Sequence, residues 1–134
     1  MAVTVVPSRP QIAALAGLLT GAGLTVVPGG QGTPVPPCVV LWPAPGTPEA
    51  GSLGDPTSDL IVEVTTVACG TTVDQALWVA DKVTAALLRA VPVVAGRTVH
   101  PIIWVDSAGV IRDDALATPL QSTAIRWRLI TTPL

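Results

Sequence analysis

The chain has 134 residues, of which 49% are hydrophobic and only 12% charged, with a net charge of -2. Average domains carry about 25% charged residues, so much of this surface must be apolar, and an apolar surface of that extent calls for cover by other protein. One lysine, Lys82, and six scattered arginines give no basic footprint and exclude sequence-specific recognition of nucleic acid.

The length suits one domain spanning residues 1–134, able to bury its own core without a disulfide scaffold. Residues 10–48 carry no charge, and Ile12 to Val27 is largely apolar. That run is interrupted by Gly17, Gly21 and Gly23 and ends at Pro28-Gly29-Gly30. It falls short of the roughly 20 apolar residues that span a bilayer. Met1 to Val6 lacks the basic start of an export signal, so the expectation is a soluble, intracellular chain.

Ser8-Arg9-Pro10-Gln11 reads as a helix start, with Ser8 as N-cap and Pro10 in the first turn. Ile12, Leu15, Ala16 and Leu19 then recur at helical spacing until Gly21 or Gly23. Prolines and glycines crowd residues 28–58, which leaves room for one strand near 37–42 and then a long Pro/Gly-rich loop or arm at 43–58. Asp59 to Ala68 alternates as a strand, with Leu60, Val62, Val64 and Thr66 in one phase.

A second helix opens with a capping box, Thr72 and Gln75 each serving the other's free backbone donor. Its inner stripe is read as Val73, Ala76, Leu77, Ala80, Val83 and Leu87. Its outer face holds Asp74, Trp78, Asp81, Lys82, Ala85 and Arg89, and Pro92 stops it. A third strand covers Arg97 to Val105, followed by a turn at Asp106-Ser107-Ala108-Gly109. The last strand covers Ser122 to Thr132, with Ile125, Trp127 and Leu129 alternating with Arg126 and Arg128. The expected fold class is α+β, a mostly antiparallel four-stranded sheet packed against two helices.

No catalytic, metal-binding or cofactor-binding constellation stands out, and the chain is not expected to be an enzyme. The single histidine, His100, precedes Pro101 in a predicted strand without a nucleophile motif. Gly29, Gly30 and Gly32 follow no strand and open no helix, so they do not form a phosphate loop. Asp106, Asp113 and Asp114 match no calcium-loop spacing, and turn formation or pairing with Arg112 explains them. Cys38 and Cys69 lie in strand-like apolar stretches, where a free cysteine is a small buried hydrophobe; a disulfide between them is the alternative. The contact residues singled out are Trp42, Trp78, Arg126 and Arg128, since tryptophan and arginine dominate interface hot spots.

The order of Val62-Glu63-Val64-Thr65-Thr66-Val67, Thr72-Val73-Asp74-Gln75-Ala76, Trp78-Val79-Ala80-Asp81-Lys82-Val83 and Ala85-Ala86-Leu87-Leu88 resembles tail terminator proteins of long-tailed bacteriophages, those of actinobacteria above all. Gly96-Arg97-Thr98-Val99, Ile111-Arg112-Asp113-Asp114, Pro119 and the ending Arg128-Leu129-Ile130-Thr131-Thr132-Pro133 extend the resemblance, which covers about residues 59–133. Similar sequences often carry aromatics where this chain has Leu120-Gln121-Ser122. The resemblance implies a homo-oligomeric ring, typically of six copies, that caps the tail tube and stops its polymerisation. It implies as partners the tail tube protein and a head-side connector or stopper, with genome DNA passing through the ring, and no membrane. Its place would be the tail-neck junction of the virion, and the host cytoplasm during assembly. Another neck or tail-completion protein is the alternative within that setting, and a small ligand-binding module the alternative outside it.

Overall fold

The computed structural model of the protein describes residues 7–30, 34–49, 59–113 and 120–134. Helix α1 (Arg9–Gly21) and helix α2 (Val73–Leu87) lie on one face of a mixed sheet. The strands are β1 (Val26–Pro28), β2 (Cys38–Pro43), β3 (Thr47–Glu49), β4 (Asp59–Gly70), β5 (Arg97–Val99), β6 (Ile103–Ser107), β7 (Ile111–Asp113) and β8 (Leu120–Pro133).

The two longest strands form the spine of this sheet. β4 and β8 pair antiparallel from Leu60 opposite Thr131 to Gly70 opposite Gln121. Along the far edge of β4 run β2, which pairs with residues 64–69, and β3, which pairs with residues 59–61. Along the far edge of β8 run β5, β6 and β7 in succession, against residues 131–133, 125–128 and 120–122. β1 adds outside β2 in parallel.

The sheet is therefore wider than the four antiparallel strands expected from sequence, and it is mixed. The expected third strand is broken because Pro101 has no N–H to donate and Ile102 is diverted, its N–H reaching the Ala90 carbonyl at 2.9 Å. His100 thus sits between β5 and β6 rather than within a strand. The expected turn at Asp106 to Gly109 is no reversal either: the chain runs on along β8, tied there by the Ala108 N–H to Ala124 O (2.9 Å) and by the Thr123 hydroxyl to Ala108 O (2.7 Å). The expected loop at 43–58 contains β3, while its remainder, residues 50–58, lies outside the described residues.

One apolar core fills the space between helices and sheet. α1 contributes Leu15 and Leu19, α2 contributes Val79, Ala80, Val83 and Leu87, and the sheet contributes Val39, Leu41, Leu60, Val62, Val64, Ile125, Trp127 and Leu129. The period-two alternation of β4 and β8 survives intact, since a one-residue slip would turn the whole set to the other face. Trp127 is wholly buried at its centre. A second, smaller cluster of Cys38, Val40, Cys69 and Leu120 lies on the opposite face of the sheet.

The helix starts depart from expectation in their capping. The Ser8 side chain makes no cap bond; its hydroxyl accepts the Gly46 N–H at 2.7 Å and ties α1 to the segment between β2 and β3. At α2 Thr72 caps as expected, accepting the Gln75 N–H at 3.1 Å, but the Gln75 amide oxygen accepts the Thr71 N–H at 2.8 Å instead of reaching Thr72. Gly70 is required between β4 and α2, because a Cβ there would stand 2.5 Å from the Ala76 nitrogen.

Candidate functional site

The buried stripe of α2 is Ala76, Val79, Ala80, Val83 and Leu87. Val73 and Leu77, expected inside, are half-exposed, and Val79 takes the inner place. The helix is rotated relative to the sequence reading because it must serve β4 and β8 together while leaving α1 on its flank. The exposed side of α2 thus holds Val73, Leu77 and Trp78 beside Asp74 and Asp81. Trp78 is 50% exposed, as its polar neighbours on the helical wheel imply, and the Lys82 ammonium stands 4.6 Å from its ring centre.

Arg126 and Arg128 project from the sheet face opposite the helices. Each is paired within the chain. Arg126 Nε donates to Asp106 Oδ1 at 2.8 Å across the β6–β8 ladder, with a second bond from its Nη2 to Oδ2. Arg128 Nη2 donates to Glu63 Oε1 at 2.8 Å across β4–β8. The guanidinium beside Asp106 holds that carboxyl below the usual carboxylate range. The two arginines form a charge ladder on the sheet, where each already has its counter-ion.

Trp42 is 49% exposed at the end of β2, on the same sheet face, directly across from Thr65. Its indole lies against Gly29, where any Cβ would overlap the ring. A shallow trough of about 500 Å³ runs from there past Val40, Val67 and Cys69 to Ile111 and Leu120. Cys69 is in its lining; Cys38 and Cys69 are free, buried and directly opposed on β2 and β4. Burial and the neighbouring Cys38 push the Cys69 thiol up to about 12, so it stays a protonated hydrophobe.

A second trough, of about 670 Å³, opens where α2 ends against the β5–β6 edge. Leu88, Ile102, Ile103, Trp104 and Ile130 give it apolar walls, and Arg89, His100 and Asp59 stand in its lining. Arg89 has φ 60, a left-handed conformation that favours glycine, held by its own N–H to Ile102 O at 3.0 Å. The sequence reading put Arg89 on the outer face of α2 and passed over Trp104; the helix ends at Leu87, and Arg89 lies beyond it. The run Ile102-Ile103-Trp104-Val105 is apolar in both phases of a strand, so it offered no signal of which side would be left exposed.

His100 and Asp113 line different troughs, one at each, and do not converge. Among the described residues no group of three or more His, Cys, Asp or Glu side chains is placed to hold a metal ion. Asp114 lies outside those residues. Among the described residues no helix is long and apolar enough to cross a membrane. The described surface brings together tryptophan anchors, apolar troughs and charged side chains, several of them paired, a composition found in protein-binding patches.

No protein-family model matches the chain, and no curated protein does. Solved structures do. A chain from the virion of a native gene transfer agent particle superposes with a TM-score of 0.66 at 13% identity, covering 96% of this chain and 98% of that one. Another solved chain superposes with a TM-score of 0.58 at 19% identity, covering 95% of this chain and 96% of that one. At such identities the likeness is one of fold, and it extends over nearly the whole of each chain.

Proposed function

We propose that this chain is a structural subunit of a phage-like virion, and specifically the tail terminator, a ring of about six copies that ends the tail tube and receives the head-side connector. The observation that carries the proposal is the shared fold with a chain of a gene transfer agent virion, matched from end to end. Two features of the surface support it. Val73, Leu77 and Trp78 on α2 and Ile103 and Trp104 on β6 are each 45–50% exposed, two groups of large apolar side chains suited to cover by other protein. The Arg126–Asp106 and Arg128–Glu63 pairs line the sheet face opposite the helices with balanced charge, a surface suited to contact with protein.

The test is the native mass of the purified chain by light scattering, with negative-stain images of any large species, repeated after adding tail tube protein. A closed ring near six subunits that stops tube growth is the expected result. A ring that binds the connector but leaves tube polymerisation unchanged would make the chain another neck protein. A chain that stays monomeric at all concentrations and ignores tube ends would overturn the reading.

A further inference from the structure

Both edges of the sheet are poor templates for adding a strand. β1 is three residues long and ends in Pro28, and the opposite edge is divided into the short β5, β6 and β7, interrupted at Pro101 between β5 and β6 and irregular within β6 between Trp104 and Asp106. Short, broken, proline-marked edges disfavour strand addition. Side-chain surfaces are then better suited than the sheet edges to contact between copies.

Two such surfaces match each other in chemistry. The exposed side of α2 presents Leu77 and Trp78, with Asp74 one turn before them and one acid and one base in succession, Asp81 and Lys82, after them. The trough beyond the end of α2 presents Ile103 and Trp104 with Arg89, His100 and the single acid Asp59. Among the described residues, Arg89, Asp59 and Asp81 make no ion pair with any side chain. Arginine at position 89 also keeps a left-handed backbone that glycine would adopt without strain. Trp78 and Asp81 stand nine and six residues before the end of α2, roughly 14 and 9 Å at 1.5 Å per residue, and none of Leu77, Trp78, Asp81 and Lys82 lines the trough, so one subunit can offer both surfaces.

We infer that the α2 side of one copy seats in the Arg89–Trp104 trough of the next, with Asp81 facing Arg89 and Lys82 facing Asp59. Because the two patches differ, the contact is head to tail, the type that closes into rings. The inference rests on the ring reading above and names the surfaces that make the ring.

Charge reversal tests it. R89E alone sets Glu against Asp81 at every contact, and D81R alone sets Arg against Arg89. Each is expected to weaken association at least tenfold by light scattering, with the thermal melt followed by circular dichroism unchanged. An equimolar mixture of the two variants is expected to assemble again, in even-numbered species only, because each contact then joins opposite charges. R89G is expected to keep or raise the melting temperature while weakening association, which separates the role of the charge from that of the fold. Wild-type rings with variants that assemble equally well, or a mixture that stays dissociated, would overturn this contact and leave the ring. A wild-type chain that never assembles would overturn both.

Discussion

At the scale of single residues, a hydrogen-bonded pair sits inside the apolar core. The Trp127 indole N–H donates to Thr66 Oγ1 at 3.0 Å, and the Thr66 hydroxyl donates to Ile125 O at 3.3 Å. Thr66→Val keeps the shape but strands a buried indole N–H, which should cost about 1–3 kcal/mol. Urea unfolding should show a lower midpoint at unchanged slope. The alternation of β8 placed Trp127 inside at the outset, but its partner is found only across the β4–β8 ladder. Arg126 and Asp106 give a pH signature of known sign. The folded carboxyl is held low by the guanidinium, so the pair's small stabilisation is complete above the unfolded aspartate value of about 3.9 and is lost as pH falls through the lower folded value. In Arg126→Gln the Asp106 titration midpoint, read by NMR, should rise back towards that ordinary value.

Among the elements, α2 shows how far periodicity reaches. Its existence, its start at Thr72 and its exposed tryptophan follow from spacing and capping chemistry. Its rotation does not, because Val73, Leu77 and Val79 are equally apolar and only the position of the sheet and of α1 decides which turns inward. Thr72→Ala removes the one side-chain cap of the helix and should cost about 1 kcal/mol, seen as a lower melting temperature with association intact. The strands divide in the same way. β4 and β8 are legible because one face is apolar and the other polar, whereas β1, β3 and β7 are three residues each and hold only by pairing with longer neighbours.

For the molecule as a whole, the partition of apolar surface is what matters. Two helices cover one face of the sheet, a smaller cluster around Cys38 and Cys69 thickens the other, and large apolar side chains stay exposed on α2 (Val73, Leu77, Trp78), on β6 (Ile103, Trp104) and, elsewhere, at Val35, Trp42, Val91, Val93, Ile111 and Leu134. Arg126 and Arg128, picked from sequence as contacts, are held by Asp106 and Glu63 within the chain. Their contribution to an interface would come from the ladder they form and not from free charge. Arg89, which sequence reasoning set aside on an outer helix face, instead stands in a trough with Trp104. Ring formation, its loss on R89E or D81R and its recovery on mixing are the expectations that belong to this scale.

By itself the sequence determined the α+β class, both helices, the long strands and the surplus of apolar surface, since each rests on local spacing or on composition. Tertiary structure alone decided the width and mixed sense of the sheet, the broken edge along β8 and the pairing of the arginines. It also decided the trough at the end of α2. These depend on residues far apart in the chain, such as Ala90 with Ile102 and Glu63 with Arg128, and no local pattern encodes which distant partner takes a free N–H or a free charge.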